Sequence, residues 1–172
     1  MQKSMTLKPQ DVAILIKILA RDPKNDWRQL DLAVELSLSQ GEIAKALSRL
    51  NKAGLINDKR VHRSAALEFI IHALKYVFPA EVGSLAVGIP TALSAPEHKS
   101  IVVQNGDDVF VWPLAKGHVR GQTIKPLYPK LAEAALKDEN FYNMMAAVEI
   151  LRMGRARERK AAESYLERKI KA

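Results

Sequence analysis

The first apolar positions of the chain recur at intervals of three and four residues, the spacing of one helix face. These positions are Val12, Leu15, Ile16 and Leu19. Pro9 suits the first turn of a helix, where its missing N–H is not needed, and Asp11 complements the positive end of the helix dipole. The pattern predicts a helix that begins at residue 8 or 9, ends before Asp22, and buries this face.

A second and a third helix follow, separated by a short polar break. The second is predicted over residues 27–36, with an inward face of Trp27, Leu30, Ala33 and Val34. Ser39 and Glu42 stand three residues apart, which is the spacing of a capping box that opens a helix. The third helix is therefore predicted from Ser39 to Ala53, and Gly54 closes it in the left-handed conformation.

The third helix carries the candidate contact surface. Its apolar positions Ile43, Leu47 and Leu50 are predicted to pack inward. In a helix-turn-helix, the second helix of the pair lies in the major groove, where Gln addresses adenine and Lys or Arg addresses guanine or phosphate. An ordinary amphipathic helix with a solvated charged face is the alternative. The residues predicted to face solvent are Gln40, Glu42, Lys45, Ala46, Arg49 and Lys52.

A short basic hairpin is predicted after the third helix. Leu55 and Ile56 begin a strand, and residues 57–63 indicate a turn with a returning strand. A charged hairpin tip that binds nothing is the alternative interpretation. The residues predicted to contact phosphate or the minor groove are Lys59, Arg60, His62 and Arg63.

The stretch LAVELSLSQGEIAKALSRLNKAGLI, residues 32–56, combines a helix, a Leu-Ser turn, a second helix and Ala-Gly-Leu-Ile leading into the hairpin. It resembles the winged helix-turn-helix of the MarR-like bacterial transcription regulators, and the resemblance covers the first third of the chain. It implies that the chain binds double-stranded DNA. The residues it implicates are Ser39, Gln40, Lys45 and Arg49 on the third helix, with Lys59, Arg60 and Arg63 on the wing.

Helices and strands are mixed in the remaining sequence. The predicted elements are a helix over residues 65–78 capped by Ser64 and ended by Pro79, irregular structure over 80–99, a hairpin of residues 100–104 and 108–112 joined by Asn105-Gly106, a third strand near 118–124, and helices near 130–136, 139–153 and 155–171 with a break at Gly154. The 65–78 helix is long and apolar enough to connect domains or to pair with a copy of itself.

These elements predict an α+β fold that is mostly helical. Residues 1–63 form a winged helix-turn-helix domain, and residues 64–79 form a connecting helix. Residues 80–172 form a smaller domain with a β-hairpin and C-terminal helices, which dimerises or binds a partner or effector.

The charge of the chain favours a polyanionic partner. The formal net charge is +8, and residues 1–63 hold twelve Lys/Arg against seven Asp/Glu. Basic residues placed against phosphates release condensed counterions, so nucleic acid is the first candidate. The Arg-rich run over residues 152–171 is interleaved with glutamates, which favours a solvated helix over a second DNA contact.

No catalytic or metal-binding chemistry is visible in the sequence. There is no cysteine, and His62, His72, His98 and His118 lack the spacing of a metal site. We therefore expect no enzyme activity, no metal and no cofactor. The apolar run over residues 12–19 is too short for a signal peptide or a membrane span, so a cytoplasmic protein is expected.

Two hypotheses for function follow. The first is a sequence-specific transcription regulator that binds double-stranded DNA as a homodimer and acts as a repressor or autorepressor. The alternative is an antitoxin-like interaction protein, whose C-terminal region binds a partner from the same operon while the winged helix autoregulates that operon.

Overall fold

The computed structural model describes residues 5–101 and 108–172 and confirms an α+β fold that is mostly helical. Its elements are α1 (Pro9–Ala20), α2 (Gln29–Leu36), α3 (Gln40–Lys52), β1 (Ile56–Asn57), β2 (Arg60–Val61), α4 (Arg63–Glu68), a π-helical segment (Phe69–Ala73), α5 (Leu74–Val77), β3 (Val82–Pro90), two 3₁₀ turns (Ala92–Ser94 and Pro96–His98), β4 (Phe110–Pro113), β5 (Val119–Ile124), α6 (Leu131–Ala135), α7 (Glu139–Met153) and α8 (Ala156–Lys171).

Helix α1 lies at the centre of the molecule. The sequence predicted one buried face, but every residue of Asp11–Leu19 is buried, because α2 and α3 cover one side of α1 while α7 and α8 cover the other. One continuous apolar cluster extends from Val12 in α1 to Ile170 in α8. The boundaries predicted at residues 63 and 79 therefore do not divide the core into separate units.

A buried lysine, Lys17, makes ion pairs that join three helices around this core. The Lys17 ammonium donates to a carboxylate oxygen of Asp138 at 2.6 Å and lies 3.1 Å from a carboxylate oxygen of Glu35. Burial raises the pKa of Asp138, but hydrogen bonds from Lys17 and from the backbone N–H of Phe141 outweigh it and hold that pKa below its ordinary value. The ion pairs join α1 to α2 and to the N-terminal end of α7.

The inward face predicted for the second helix is wrong at two positions. Leu30 and Val34 are exposed, whereas Leu32 and Leu36 are fully buried together with Ala33. Both sets fit helical spacing, so periodicity alone could not decide between them, and the side on which α1 packs selects the second set. Trp27 is buried as predicted, although it precedes α2 rather than belonging to it.

The region predicted as irregular between residues 80 and 99 contains the nine-residue strand β3. Its glycines suggested a loop, but a side chain at Gly88 would overlap the Trp112 carbonyl of β4, so this glycine lets two strands approach closely. β3 pairs antiparallel with both β4 and β5, and β4 pairs parallel with β5, which closes a small three-stranded barrel.

The predicted hairpin over residues 100–112 is not the pairing that β4 makes. β4 pairs with β3, through Ile89 opposite Trp112, while Ser100 and Ile101 lie in a turn and a bend. The Asn105-Gly106 turn lies outside the described residues. The third strand is confirmed as β5, and the last three predicted helices are confirmed as α6, α7 and α8 with bounds that agree within one or two residues.

One residue of the turn between α2 and α3 adopts a strained conformation. Ser37 has φ 55° in the left-handed region, which residues other than glycine disfavour. We expect Ser37→Gly to raise the free energy of unfolding by about 0.5 kcal/mol, since relief of strain exceeds the added chain entropy. Ser164→Gly, in the regular helix α8, serves as the control and should lower it by a similar amount. Urea denaturation measures both, and a loss of stability in both variants would contradict the strain.

Among the described residues, no helix combines the length and the hydropathy that crossing a membrane requires.

Candidate nucleic-acid interface

The ends of α3 are fixed by its own sequence, as predicted. The Ser39 hydroxyl accepts from the Glu42 N–H at 3.1 Å, and the Glu42 carboxylate accepts from the Ser39 N–H at 2.8 Å, which is the predicted capping box. Gly54 has φ 80°, and the Leu55 N–H donates to the Leu50 carbonyl at 3.0 Å, which closes the C-terminal end. The helix is therefore held at both ends before any ligand binds.

The exposed face of α3 differs from the predicted face. Ile43, Ala46 and Leu50 are fully buried, so the prediction that Ala46 faces solvent is wrong. Positions 43, 46 and 50 lie along one side of a helix, which here packs on α1. The exposed residues of α3 are Gln40, Gly41, Glu42, Ala44, Lys45, Ser48, Asn51 and Lys52.

Arg49 points into the protein, so the prediction that it faces solvent is wrong. Its Nε and Nη2 donate to the two carboxylate oxygens of Asp11 at 2.7 and 2.8 Å, and the Lys8 N–H donates to the same carboxylate at 2.9 Å. The side chain of Asp11 is 0% exposed and that of Arg49 is 10% exposed. This bidentate pair fastens α3 to the first turn of α1, and it explains why a charged residue occupies an inward position of α3.

The two short strands β1 and β2 form a hairpin beside α3. Ile56 pairs with Val61 and Asn57 pairs with Arg60, and Asp58 has φ 56° in the two-residue turn. Asn and Asp tolerate this left-handed conformation better than most residues, so the sequence suits a tight turn. Arg60 projects from the hairpin as an exposed cation.

Lys59 of the hairpin turn lies against the segment that precedes α2. Its ammonium is 3.3 Å from a carboxylate oxygen of Asp26 and 5.8 Å from the centre of the Trp27 ring. The hydrogen bond from Lys59, followed by that from the Trp27 N–H, lowers the pKa of Asp26. Both partners are largely exposed, so this pair holds the hairpin only weakly and Lys59 stays available to an anion.

Arg63 does not belong to the hairpin. It is the first residue of α4, and its guanidinium donates to the Ile170 carbonyl near the C-terminal end of α8. The prediction that Arg63 lies on the wing is therefore wrong, because Arg63 satisfies a carbonyl at a helix end; its contact with phosphate stays a prediction. The predicted cap Ser64 lies inside α4, and the exposed residue His62 occupies the N-cap position without a side-chain hydrogen bond.

A groove of about 500 Å³ separates α3 from the hairpin. It is lined by two lysines, one carboxylate, three uncharged polar side chains and five apolar ones. The residues are Lys52, Lys59, Asp58, Gln29, Ser48, Asn51, Met5, Trp27, Ala44, Leu47 and Ile56.

Ala44, Ser48 and Asn51 were not predicted to belong to this surface. The signal was available, because residues 44, 48 and 51 follow each other at intervals of four and three on the side of α3 opposite Ile43 and Ala46. Charge drew attention to Arg49 instead. The exposed predicted residues Gln40, Lys45, Lys52, Lys59 and Arg60 remain candidates, whereas Ser39 and Glu42 serve as caps.

Another buried ion pair lies within α7. Glu149 in α7 is fully buried, and its carboxylate accepts from Arg152 at 2.7 Å. Burial raises the pKa of Glu149 despite this cation. Arg152 also donates to the backbone carbonyls of Phe78 and Pro79, at 2.8 and 3.1 Å, so it fastens the end of α5 to α7.

Compared with models of known protein families, with characterised proteins and with solved structures, the chain matches none of them. Within residues 5–101 and 108–172, no group of three or more His, Asp or Glu side chains is placed to hold a metal ion. The interpretation of the surface on α3 therefore depends on its own geometry and chemistry.

Proposed function

We propose that the chain is a sequence-specific DNA-binding protein that regulates transcription, and that α2, α3 and the β1–β2 hairpin act as a winged helix-turn-helix. One observation carries the proposal. The exposed side of α3 presents Ser48 and Asn51 between Lys45 and Lys52, beside a hairpin tip with Lys59 and Arg60. Hydrogen-bonding groups flanked by cations are the combination that reads base edges while contacting phosphate.

Each exposed side chain has a chemical counterpart on DNA. Asn51 is suited to bidentate hydrogen bonds with adenine, and Ser48 donates to or accepts from either base of a pair. The methyl group of Ala44 suits contact with a thymine methyl group, and it leaves room for α3 to approach the groove floor. Lys52 and Arg60 lie at the end of α3 and on the hairpin, where they would meet the phosphates that border the groove.

An oligomeric state, a charged partner and a cellular location follow from this proposal. A single α3 contacts only a few base pairs, so we propose that two copies act together on a site of matching two-fold symmetry. The positive net charge of residues 1–63, which contain twelve Lys/Arg and seven Asp/Glu, supports an anionic partner. We propose a cytoplasmic location, because the cytoplasm is the compartment in which such a protein would meet DNA.

Salt dependence of DNA binding tests the proposal. Fluorescence anisotropy should compare the wild type with Lys45→Ala, Lys52→Ala and Arg60→Ala, on a duplex selected from a random pool by the wild-type protein. We expect each variant that loses a phosphate contact to reduce the slope of log K against log salt by about one. Lys116→Ala, an exposed lysine between β4 and β5, is the control and should leave the slope unchanged.

Asn51→Ala adds a readout of sequence preference. We expect it to reduce discrimination between the selected duplex and a random duplex by about 1–3 kcal/mol while the salt slope stays the same. Equal binding of all four variants and the wild type at every salt concentration would contradict the interface on α3. Far-UV circular dichroism confirms that the variants are folded.

A further inference from the structure

The last turn of α8 lies beside the stretch of chain that leads out of the β1–β2 hairpin. The guanidinium of Arg63, two residues after the end of β2, donates to the Ile170 carbonyl of α8. Helices α4 and α8 are in contact on this side of the molecule. The structure thus brings together two stretches that are 107 residues apart, so a surface on the hairpin can continue onto α8.

Both of these stretches are basic. Residues 59–63 and residues 168–171 each contain three Lys or Arg, and neither stretch contains Asp or Glu. The acidic residues nearest to them in sequence are Asp58 in the hairpin turn, Glu68 at the other end of α4, and Glu167. The exposed cations of the two stretches are Lys59, Arg60, Arg168, Lys169 and Lys171.

The glutamates of α8 do not neutralise its last turn. All three precede residue 168 in the sequence. Glu158 accepts from a backbone N–H at the N-terminal end of α8, and Glu167 lies 3.7 Å from the Lys171 ammonium in an exposed, weak pair. Within the described residues, Arg168 and Lys169 form no ion pair. The interleaved charges that favoured a solvated helix in the sequence therefore do not extend to the last turn.

These cations exceed what the end of a helix requires. A helix has about half a negative charge at its C-terminal end, which basic side chains stabilise and which by itself would repel a phosphate. Arg63 already places its guanidinium on a carbonyl at this end. The three cations of residues 168–171 therefore give this end of α8 a positive net charge that suits an anion.

We propose that the last turn of α8 contacts the DNA backbone outside the base pairs that α3 reads, as a continuation of the hairpin. The inference rests on the proposed function, because the hairpin has to lie against DNA for α8 to reach it. Phosphates repeat along both strands, so cations beside the hairpin meet the flanking backbone without reading bases. Such a contact increases the affinity for every sequence and requires duplex beyond the site.

Two double variants, which remove the same charges from the two ends of α8, test this contact. Arg168→Ala/Lys169→Ala removes an arginine and a lysine beside the hairpin. Arg157→Ala/Lys160→Ala is the control, and it removes an exposed arginine and lysine from the other end of the helix. Residues 157 and 168 are about 16 Å apart along the axis, which exceeds the screening length of about 10 Å at 0.1 M salt.

Fluorescence anisotropy of the full chain measures binding at several salt concentrations. We expect Arg168→Ala/Lys169→Ala to reduce the slope of log K against log salt by about two, because two phosphate contacts are lost. The control should leave the slope unchanged. Far-UV circular dichroism shows that both variants are folded.

The length of the duplex separates a flanking contact from a general effect of charge. One duplex ends at the outermost base pair whose substitution changes binding. The other extends by one further turn of DNA, about ten base pairs, on each side. We expect the reduced slope of Arg168→Ala/Lys169→Ala on the longer duplex alone, because only that duplex supplies the flanking phosphates.

Three results would overturn the contact, and they separate its failure from that of the proposed function. If Lys52→Ala and Arg60→Ala change the slope on the longer duplex but Arg168→Ala/Lys169→Ala does not, the interface on α3 stands and α8 does not contact DNA. An equal reduction in both double variants would show a general effect of net charge. A wild type that binds neither duplex would overturn the proposed function and this contact together.

Discussion

Replacing Arg49 by alanine is expected to lower the free energy of unfolding by about 3–5 kcal/mol, because it leaves a buried carboxylate without its cation. Asp11 is completely buried and takes two hydrogen bonds from Arg49. Chemical denaturation followed by circular dichroism measures the change. Lys45→Ala, on the exposed side of the same helix, is the matched control and should alter stability by no more than about 0.5 kcal/mol.

The double variant Asp11→Leu/Arg49→Met separates the effect of an unpaired buried charge on stability from the effect of lost packing. Both replacements are apolar, so no unpaired charge stays in the core, and we expect the pair to recover most of the stability lost by Arg49→Ala. If Arg49→Ala is as stable as the wild type and binds DNA more weakly, Arg49 contacts DNA and the inward placement is wrong.

The second large effect is expected at Arg152. Arg152→Ala leaves Glu149 fully buried with no cation and removes two hydrogen bonds to the end of α5. We expect a loss of about 3–5 kcal/mol in the free energy of unfolding at neutral pH. Arg157→Ala, an exposed arginine in α8, should change stability by less than about 0.5 kcal/mol.

The stability lost in Arg152→Ala is expected to decrease as the pH falls. Burial raises the pKa of Glu149 in the folded protein, so its contribution to stability is complete below the pKa of the unfolded chain and decreases as the pH rises through the folded pKa. Removing Arg152 raises the folded pKa further, because this carboxylate loses the cation with which it forms an ion pair. The difference between Arg152→Ala and the wild type should therefore shrink at mildly acidic pH, and a difference that grows there would contradict the assignment.

Local signals in the sequence were sufficient wherever the chain determines its own conformation. The capping box of Ser39 and Glu42 and the glycine at position 54 fixed the predicted ends of α3, and the structure confirms them. The bounds of α7 were predicted because Gly154 ends a regular helical pattern. These signals act within one turn of the chain, so they require no knowledge of what packs nearby.

Contacts between distant segments were not predictable in the same way. Arg49 was interpreted as a DNA contact because its partner Asp11 lies 38 residues earlier, and Asp11 itself fitted a conventional role at a helix N-terminus. β3 was missed because Gly88 signals a turn in sequence, although it serves the close approach of β4. In both cases the deciding partner is remote in the chain.

Because helix α1 is buried on every side, it connects the helices that pack on its two sides. The Asp11 end of α1 is bound to α3 through Arg49, and Lys17, two turns further, is bound to the start of α7 through Asp138. Helix α1 thus has one buried ion pair near each end. We expect the packing of α3 and that of α7 to be lost in one cooperative unfolding step, because both helices are joined to α1.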